Sequence, residues 1–163
     1  MTVDQHDVEE FLGLRRIAVI GVSDDPKSFA RTVYVQLRDH GHEVVAVHPT
    51  ATAVAGDRCW PDVASVPEPV DGALVMVPAV KAATVVADCA DHGIDHIWLF
   101  KGLGGDGSLS DEALAVCESR GLDVIAGACP LMFLEPVGWF HRLHRSGRKA
   151  RHHLIDVRSI DVH

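Results

Sequence analysis

The chain has 163 residues, of which 47% are hydrophobic and 23% are charged, and its formal net charge at pH 7 is −8. This length and composition predict one domain with its own core, and the negative charge argues against nucleic acid as the main partner. No apolar run is long enough to cross a membrane, and the acidic N-terminus lacks the basic and apolar regions of a signal peptide. We therefore expect a cytoplasmic protein with no membrane partner.

The N-terminal residues 1–15 are predicted to form a short helix. Val8, Phe11 and Leu12 have the spacing of an apolar helical face, and we expect them to dock on the sheet.

Residues 16–130 alternate between strand-like and helix-like segments. Apolar runs predict parallel strands at residues 16–22, 43–47, 70–77, 95–100 and 122–126. Helical spacing, followed each time by a glycine, predicts helices at residues 27–40, 80–92 and 110–120. The proline-containing link at residues 48–69 is expected to hold one helical turn near residues 62–65. This alternation predicts a doubly wound α/β fold of three layers with a five-stranded parallel sheet.

Residues 131–163 leave this pattern and are predicted to form a helical C-terminal extension. Val137, Phe140 and Leu143 have helical spacing, which favours a helix packed on the domain or on a partner. The basic end of the extension is typical of a solvated helix C-terminus or, alternatively, of an anion-binding or subunit-binding surface. His141 and His144 form an HxxH pair without a third ligand, so no metal site is predicted.

A ligand of an open parallel sheet lies beyond the carboxyl ends of the strands, where the strand order reverses. This rule selects the loops at residues 21–28, 48–50, 77–79 and 101–107. In the first loop, Gly21 allows a tight turn and Ser23 offers a hydroxyl group. Lys27, Ser28 and Arg31 begin the next helix, which is typical of a phosphate site. The alternative interpretation, which has equal weight, is that Ser28 only caps the helix and Lys27 is solvated.

The second and third loops each allow two interpretations. His48 either accompanies a phosphate or is a partly buried histidine that is hydrogen-bonded to the backbone. Pro78 can pack on a flat base, can begin the following helix, or can do both.

The fourth loop contains a glycine pattern, because Gly102, Gly104 and Gly107 fit the dinucleotide fingerprint G-x-G-x-x-G. That fingerprint belongs after the first strand, with an acidic residue at the end of the second, whereas this stretch follows the fourth predicted strand. Acidic residues near the following helix start would also repel a pyrophosphate. The match is therefore interpreted as accidental, although Lys101 and Gly102 border the expected ligand cleft.

Five ordered segments between residues 16 and 130 resemble the CoA-binding domain family, stand-alone relatives of the N-terminal domain of the succinyl-CoA synthetase α subunit. The segments are IAVIGVSDDPKSFA, VVAVHP, AGDRCWPDVASVPEPVDGALVMVP, HIWLFKGLG and GACP. The resemblance implies a Rossmann-like domain over residues 16–130 that binds coenzyme A. His48 stands where the family usually has an asparagine.

The resemblance implies three groups of CoA-binding residues. Those for the phosphates are Gly21, Val22, Ser23, Lys27, Ser28 and Arg31. Those along the nucleotide and pantetheine path are His48, Pro49, Val77 and Pro78, with the His48 contact open, and those at the thiol end are Lys101 and Gly102. Of the four cysteines, which we expect to be reduced, only Cys129 lies near this site. It is interpreted as a buried structural residue, with a reactive thiol or a mixed disulfide with CoA as the alternative.

The predicted function is a non-catalytic or regulatory protein that binds CoA or an acyl-CoA. The sequence offers no nucleophile paired with a base, and the second domain of the ligase, with its phosphorylated histidine, has no counterpart here. One alternative is an NAD(P)-binding redox sensor or oxidoreductase, which the missing acidic residue after the second strand disfavours. Another is a component of an acyl-CoA ligase that needs a partner subunit. A homodimer or an unidentified partner protein is compatible with either.

Overall fold

A computed structural model describes residues 3–102 and 107–134. Its helices are α1 (Gln5–Leu12), α2 (Phe29–Asp39), α3 (Ala79–Asp91) and α4 (Asp111–Arg120). Its strands are β1 (Arg16–Ile20), β2 (Glu43–Val47), β3 (Ala53–Val54), β4 (Asp57–Trp60), β5 (Gly72–Val75), β6 (His96–Leu99) and β7 (Asp123–Ala126). Two 3₁₀ helices span Val63–Ser65 and Pro130–Phe133. The predicted C-terminal extension lies outside the described residues from position 135 onward.

The strands form one sheet in the order β3-β4-β2-β1-β5-β6-β7. Every neighbouring pair is parallel except β3 and β4, which are antiparallel. From β1 the chain builds outward through β2, returns to the other side of β1 at β5, and continues outward to β7. The order therefore reverses between β1 and β5, and the predicted Rossmann-like α/β fold is confirmed.

The sheet has seven strands rather than the predicted five, because the proline-containing link folds into the hairpin of β3 and β4. Val54 pairs with Asp57, so only Ala55 and Gly56 form the turn, and both have positive φ angles of 49° and 85°. Such type I′ turns usually carry asparagine or aspartate at the first of these positions. Ala55 does not give that signal, which is why the sequence did not reveal the hairpin.

The helices cover both faces of the sheet. Helices α1 and α2 pack on one face against alternate residues of the central strands, including Ile17 and Val19 of β1. Helices α3 and α4 pack on the other face against the intervening residues, including Ala18 and Ile20. Strands buried on both faces read as continuous apolar runs, which explains why the sequence located them well.

Candidate functional site

The strand order reverses at Gly21, the first residue after β1. Its N–H donates to the carbonyl of Val47 at the end of β2, over 2.8 Å. Its φ angle is 100°, and a Cβ atom there would lie 2.7 Å from the carbonyl oxygen of Met76, beyond β5. Gly21 therefore brings three predicted loops together, and only glycine fits between them.

The remaining loops at this edge are joined through Ser108, which is fully buried. The Ser108 hydroxyl donates to the carbonyl of Val77, and its N–H donates to the carbonyl of Phe100 over 2.8 Å. The Lys101 N–H in turn donates to the carbonyl of Ala128 after β7, over 3.2 Å. Ser108 and Ala128 were missed by sequence reasoning, since nothing in their neighbourhood marks them as connecting residues.

The first loop places Ser28 as the N-cap of α2. The Ser28 hydroxyl oxygen accepts from the Arg31 N–H at 3.3 Å, and the side chain of Asp25 accepts from the Lys27 N–H at 2.9 Å. The capping interpretation of Ser28 is therefore realised. Because the cap uses the oxygen as an acceptor, the hydroxyl proton is still available to a ligand. The Lys27 side chain is exposed at the same helix start.

Asp24 binds the first loop to the β3–β4 hairpin, a role that the sequence did not indicate. Its carboxylate accepts from the Ala55 N–H at 2.8 Å and from the Arg31 guanidinium at 3.1 Å. The hydrogen bond from the Ala55 backbone, followed by that from Arg31, lowers the pKa of Asp24 below its ordinary value. Arg31 thus already has an anionic partner, which limits the charge that it can offer to a ligand.

His48 is held by the turn that follows β2. Its Nδ1 atom accepts from the N–H groups of Thr50 and Ala51, both at 3.2 Å. An asparagine side chain commonly accepts backbone N–H groups in the same way. His48 therefore caps this turn as an asparagine side chain would. The neutral ring then carries its proton on Nε2, which can donate to another group.

The other predicted residues differ in what they can present. Val22 is fully buried, so only its backbone can approach a ligand, whereas Pro49 and Pro78 are exposed. Pro78 also precedes the first turn of α3, which has no side-chain cap. Helices α2 and α3 therefore both begin at this edge, where their N-terminal N–H groups and positive dipole ends favour an anion.

The fourth loop is described only in part, since residues 103–106 and hence Gly104 lie outside the described chain. Gly102 lies against the Phe100 ring, since a Cβ atom on Gly102 would be 3.2 Å from the ring, and Lys101 is exposed. Gly107 has a φ angle of 59°, and a side chain there would collide with the carbonyl of Phe100. Close packing against the end of β6 thus accounts for this glycine without any ligand.

The thiol of Cys129 lies after β7 at the same edge and is buried. Burial raises the pKa of Cys129, although the N–H groups of Leu131 and Met132 act in the opposite direction. A raised pKa leaves little reactive thiolate at neutral pH. These features favour the structural interpretation of Cys129.

A cavity of about 210 Å³ lies at the opposite edge of the sheet, beside α1. Its polar lining consists of Asp7, Glu10, His96 and Asp123. Three carboxylates would repel phosphates, so this cavity does not suit a nucleotide.

Within residues 3–102 and 107–134, no three His, Cys, Asp or Glu side chains come together as metal ligands. None of the helices described there is long and apolar enough to cross a membrane. His141 and His144 lie outside the described residues.

Known proteins similar to this chain include two ligases. Acetate–CoA ligase [ADP-forming] I of Archaeoglobus fulgidus is 30% identical over 118 residues, which is 69% of this chain and 17% of the ligase. The α subunit of acetate–CoA ligase [ADP-forming] II of Pyrococcus furiosus is 27% identical over 128 residues, 75% of this chain and 28% of that subunit. This chain therefore matches less than a third of the length of either relative.

The fold is also similar to that of a hypothetical protein from Pyrococcus horikoshii OT3. The TM-score is 0.73 at 24% identity, with 80% of this chain and 89% of that chain covered. The family model described as a CoA binding domain matches residues 15–135, most of the chain and all the loops at the carboxyl edge. The chain belongs to this family of CoA-binding domains.

Proposed function

We propose that this protein binds coenzyme A or an acyl-CoA at the carboxyl edge of its sheet, as a non-catalytic or regulatory binding protein. The observation that carries the proposal is the close approach of Gly21 to Met76, because it brings the turn after β1 against the turn after β5 where the strand order reverses. Open parallel sheets bind their ligands at this position. Here the start of α2, with Lys27, Ser28 and Arg31, takes the phosphates. The backbone at Gly21, Val22 and Ser23 supports them.

The remaining predicted residues follow the ligand away from the phosphates. His48, Pro49, Val77 and Pro78 line the nucleotide and pantetheine path, and Lys101 and Gly102 border the thiol end. The His48 Nε2–H group is a donor that suits a phosphate oxygen. An NAD-type site would instead need a carboxylate for the ribose diol after β2, and His48–Pro49 provides none. A cytoplasmic setting stays a prediction from the sequence.

A thermal-shift titration tests this proposal, with CoA, acetyl-CoA, a longer acyl-CoA and NAD(H) compared. A ligand that binds only the native state adds about 2.7 kcal/mol of stability at 100 times its Kd. We expect a shift with CoA or an acyl-CoA that exceeds the shift with NAD(H). Equal or larger shifts with NAD(H), or none with any CoA compound, contradict the proposal.

A charge variant locates the binding site. Lys27→Gln removes a positive charge at the start of α2, and we expect the CoA Kd to rise roughly three- to tenfold, less at high salt. Arg120→Gln is the matched control, since Arg120 lies at the far end of α4 and pairs with Asp91 at 2.8 Å. An equal effect of both substitutions would place the ligand elsewhere.

A second candidate function is the CoA-binding part of an acyl-CoA ligase that needs a partner subunit. The two ligase relatives favour it, because this chain matches only 17% and 28% of their lengths. Copurification of a second chain, followed by acyl-CoA formation only in the mixture, supports this candidate. Tight CoA binding with no turnover in the presence of any copurified chain favours the stand-alone function.

A further inference from the structure

Arg58 and Trp60 form a stacked pair at the end of β4. The central guanidinium carbon of Arg58 lies 4.0 Å from the centroid of the Trp60 ring, which is within the range of a cation–π interaction. The two residues are two positions apart in the strand, so their side chains lie on the same face of the sheet. Trp60 is partly buried against the core of the α3–α4 face, whereas Arg58 is exposed. The ring therefore holds the guanidinium at the surface.

The pair lies at the carboxyl edge of the sheet, beside the loop after β2. Trp60 is the last residue of β4, which is parallel to β2, and it pairs with Val47. The carbonyl of Trp60 accepts from the His48 N–H at 2.9 Å. The strand order β4-β2-β1 places the pair two strands away from Gly21, a distance of about 10 Å. Arg58 therefore lies beyond His48 along the edge at which we propose that the ligand binds.

The guanidinium of Arg58 has no acidic partner among residues 3–102 and 107–134. Arg31 and Arg120, by contrast, each pair with an aspartate, at 3.1 and 2.8 Å. Asp57, which precedes Arg58 in the chain, pairs with Arg38 of α2 at 2.9 Å instead. A guanidinium presents its N–H donors in a planar fork that matches the oxygens of a phosphate. Arg58 is therefore available to an anionic ligand, whereas Arg31 is already paired.

We propose that Arg58, positioned by Trp60, binds a phosphate monoester on the ribose of an adenine nucleotide. In CoA this group is the 3′-phosphate, and the pyrophosphate at C5′ of the same ribose leads to pantetheine. The assignment to CoA rests on the function proposed above. With the pyrophosphate at the start of α2, the ribose extends past His48 toward Arg58. Arg58 then distinguishes CoA from dephospho-CoA, which lacks only the 3′-phosphate.

Paired ligands test the role of Arg58. Calorimetry on the full chain measures the Kd values of CoA and dephospho-CoA, and those of NADP⁺ and NAD⁺, since NADP⁺ carries a comparable phosphate at the 2′ position. We expect CoA to bind roughly tenfold more tightly than dephospho-CoA, because charge-assisted hydrogen bonds to the phosphate are lost. Arg58→Gln should abolish this preference by raising the CoA Kd while leaving the dephospho-CoA Kd unchanged. Arg120→Gln, at the far end of α4, is the matched control and should keep the preference.

Two further variants test whether Trp60 positions the guanidinium. Trp60→Phe keeps an aromatic ring beside Arg58 and should keep most of the preference for CoA over dephospho-CoA. Trp60→Leu removes the ring and should lose the preference. An equal effect of the two substitutions would overturn positioning by the ring.

The outcomes separate this inference from the function proposed above. Equal affinity of the unaltered chain for CoA and dephospho-CoA overturns the role of Arg58 and leaves CoA binding intact. So does an Arg58→Gln variant that keeps the preference or weakens both compounds equally. A preference for NADP⁺ over NAD⁺ that depends on Arg58, without binding of CoA, supports the phosphate subsite and overturns the CoA function. Binding of none of the four ligands overturns both.

Discussion

The two faces of the sheet are packed with side chains of different size. On the α3–α4 face, small residues such as Ala82, Cys89, Ala113 and Cys117 are all at most 1% exposed. On the α1–α2 face, the core is built around large aromatic residues, with Trp98 at its centre between Phe11 and Phe133. Small side chains let α3 and α4 lie close to the sheet and to each other. On the α1–α2 face, large aromatic side chains fill the space between the helices and the sheet.

The α1–α2 face also contains a partly buried network of polar side chains. On the α1–α2 face, the Tyr34 hydroxyl donates to Asp57 at 2.7 Å, and Arg38 donates to the same carboxylate at 2.9 Å. These bonds fix the β3–β4 hairpin against α2. Burial alone would raise the pKa of Asp57, but the hydrogen bonds from Tyr34 and Arg38 outweigh it and lower that pKa.

The largest expected effect comes from removing the centre of the aromatic face. Trp98 is fully buried, and its indole N–H donates to the carbonyl of Gly127 at 2.8 Å. Trp98→Ala should lower the free energy of unfolding by about 3–5 kcal/mol, measured by urea denaturation. Trp98→Phe keeps most of the volume and should cost about 1–3 kcal/mol through the lost donor. Equal losses in both variants would contradict the interpretation that the volume of the Trp98 ring stabilises this core.

A second variant tests Gly21, which lies at the carboxyl edge of the sheet where we propose that the ligand binds. Gly21→Ala should cost about 1–2 kcal/mol for the positive φ and a further 1–3 kcal/mol for the Cβ overlap with Met76. Gly93→Ala is the matched control, since Gly93 has a φ of 77° but nothing within 4 Å of a Cβ atom. It should show only the smaller loss in urea denaturation. Similar losses would mean that Gly21 is needed for its backbone angle alone.

A third variant tests how closely α3 and α4 are packed on their face of the sheet. Ala113→Val adds two methyl groups to a fully buried position of α4, and overpacking should cost about 1–3 kcal/mol. Ala115→Val, at an exposed position of the same helix, should cost only about 0.5 kcal/mol through helix propensity. Denaturation midpoints of the two variants decide the point. Equal midpoints would show that the packing around Ala113 leaves space for a larger side chain.

The smallest effect concerns Cys89 and Cys117, two buried thiols on the α3–α4 face of the sheet. Burial raises the pKa of Cys89 to about 12 and that of Cys117 to about 11, above the ordinary value of 9.0. A thiol with a raised native pKa contributes stability below pH 9, and this contribution is lost as the pH rises from 9 toward the native pKa. Cys89→Ser should therefore flatten the alkaline fall in stability. Rapid alkylation of Cys89 or Cys117 in the native protein at pH 8 would contradict their burial.

The strands of the parallel sheet were predictable because burial on both faces requires continuous apolar runs. The prediction for β2 matches the structure at residues 43–47, and the other four predicted strands begin or end within two residues of the observed ones. The helical turn near residues 62–65 is also confirmed as Val63–Ser65, with Asp62 as its cap. Glycines after the predicted helices marked their ends equally well.

The parts of the site that involve contacts distant in sequence were not predictable. Asp24 binds Ala55, which lies 31 positions later, and Ser108 binds Val77, 31 positions earlier. Neither aspartate nor serine in a loop specifies its partner, because hydrogen bonds of this kind depend on which loops the fold brings side by side. The same reason explains why Arg31 was expected to serve a ligand but is paired with Asp24.

The sequence by itself determined the alternation of strands and helices and the family, because these follow from local patterns and from an ordered set of motifs. The edge of the sheet at which we expect a ligand stays a prediction from the same patterns. Only the tertiary structure decided that the link forms a hairpin, that Gly21 is confined by Met76, and that Gly107 serves packing against Phe100. Each depends on the approach of two chain segments within a few ångströms, and no local pattern encodes such a distance.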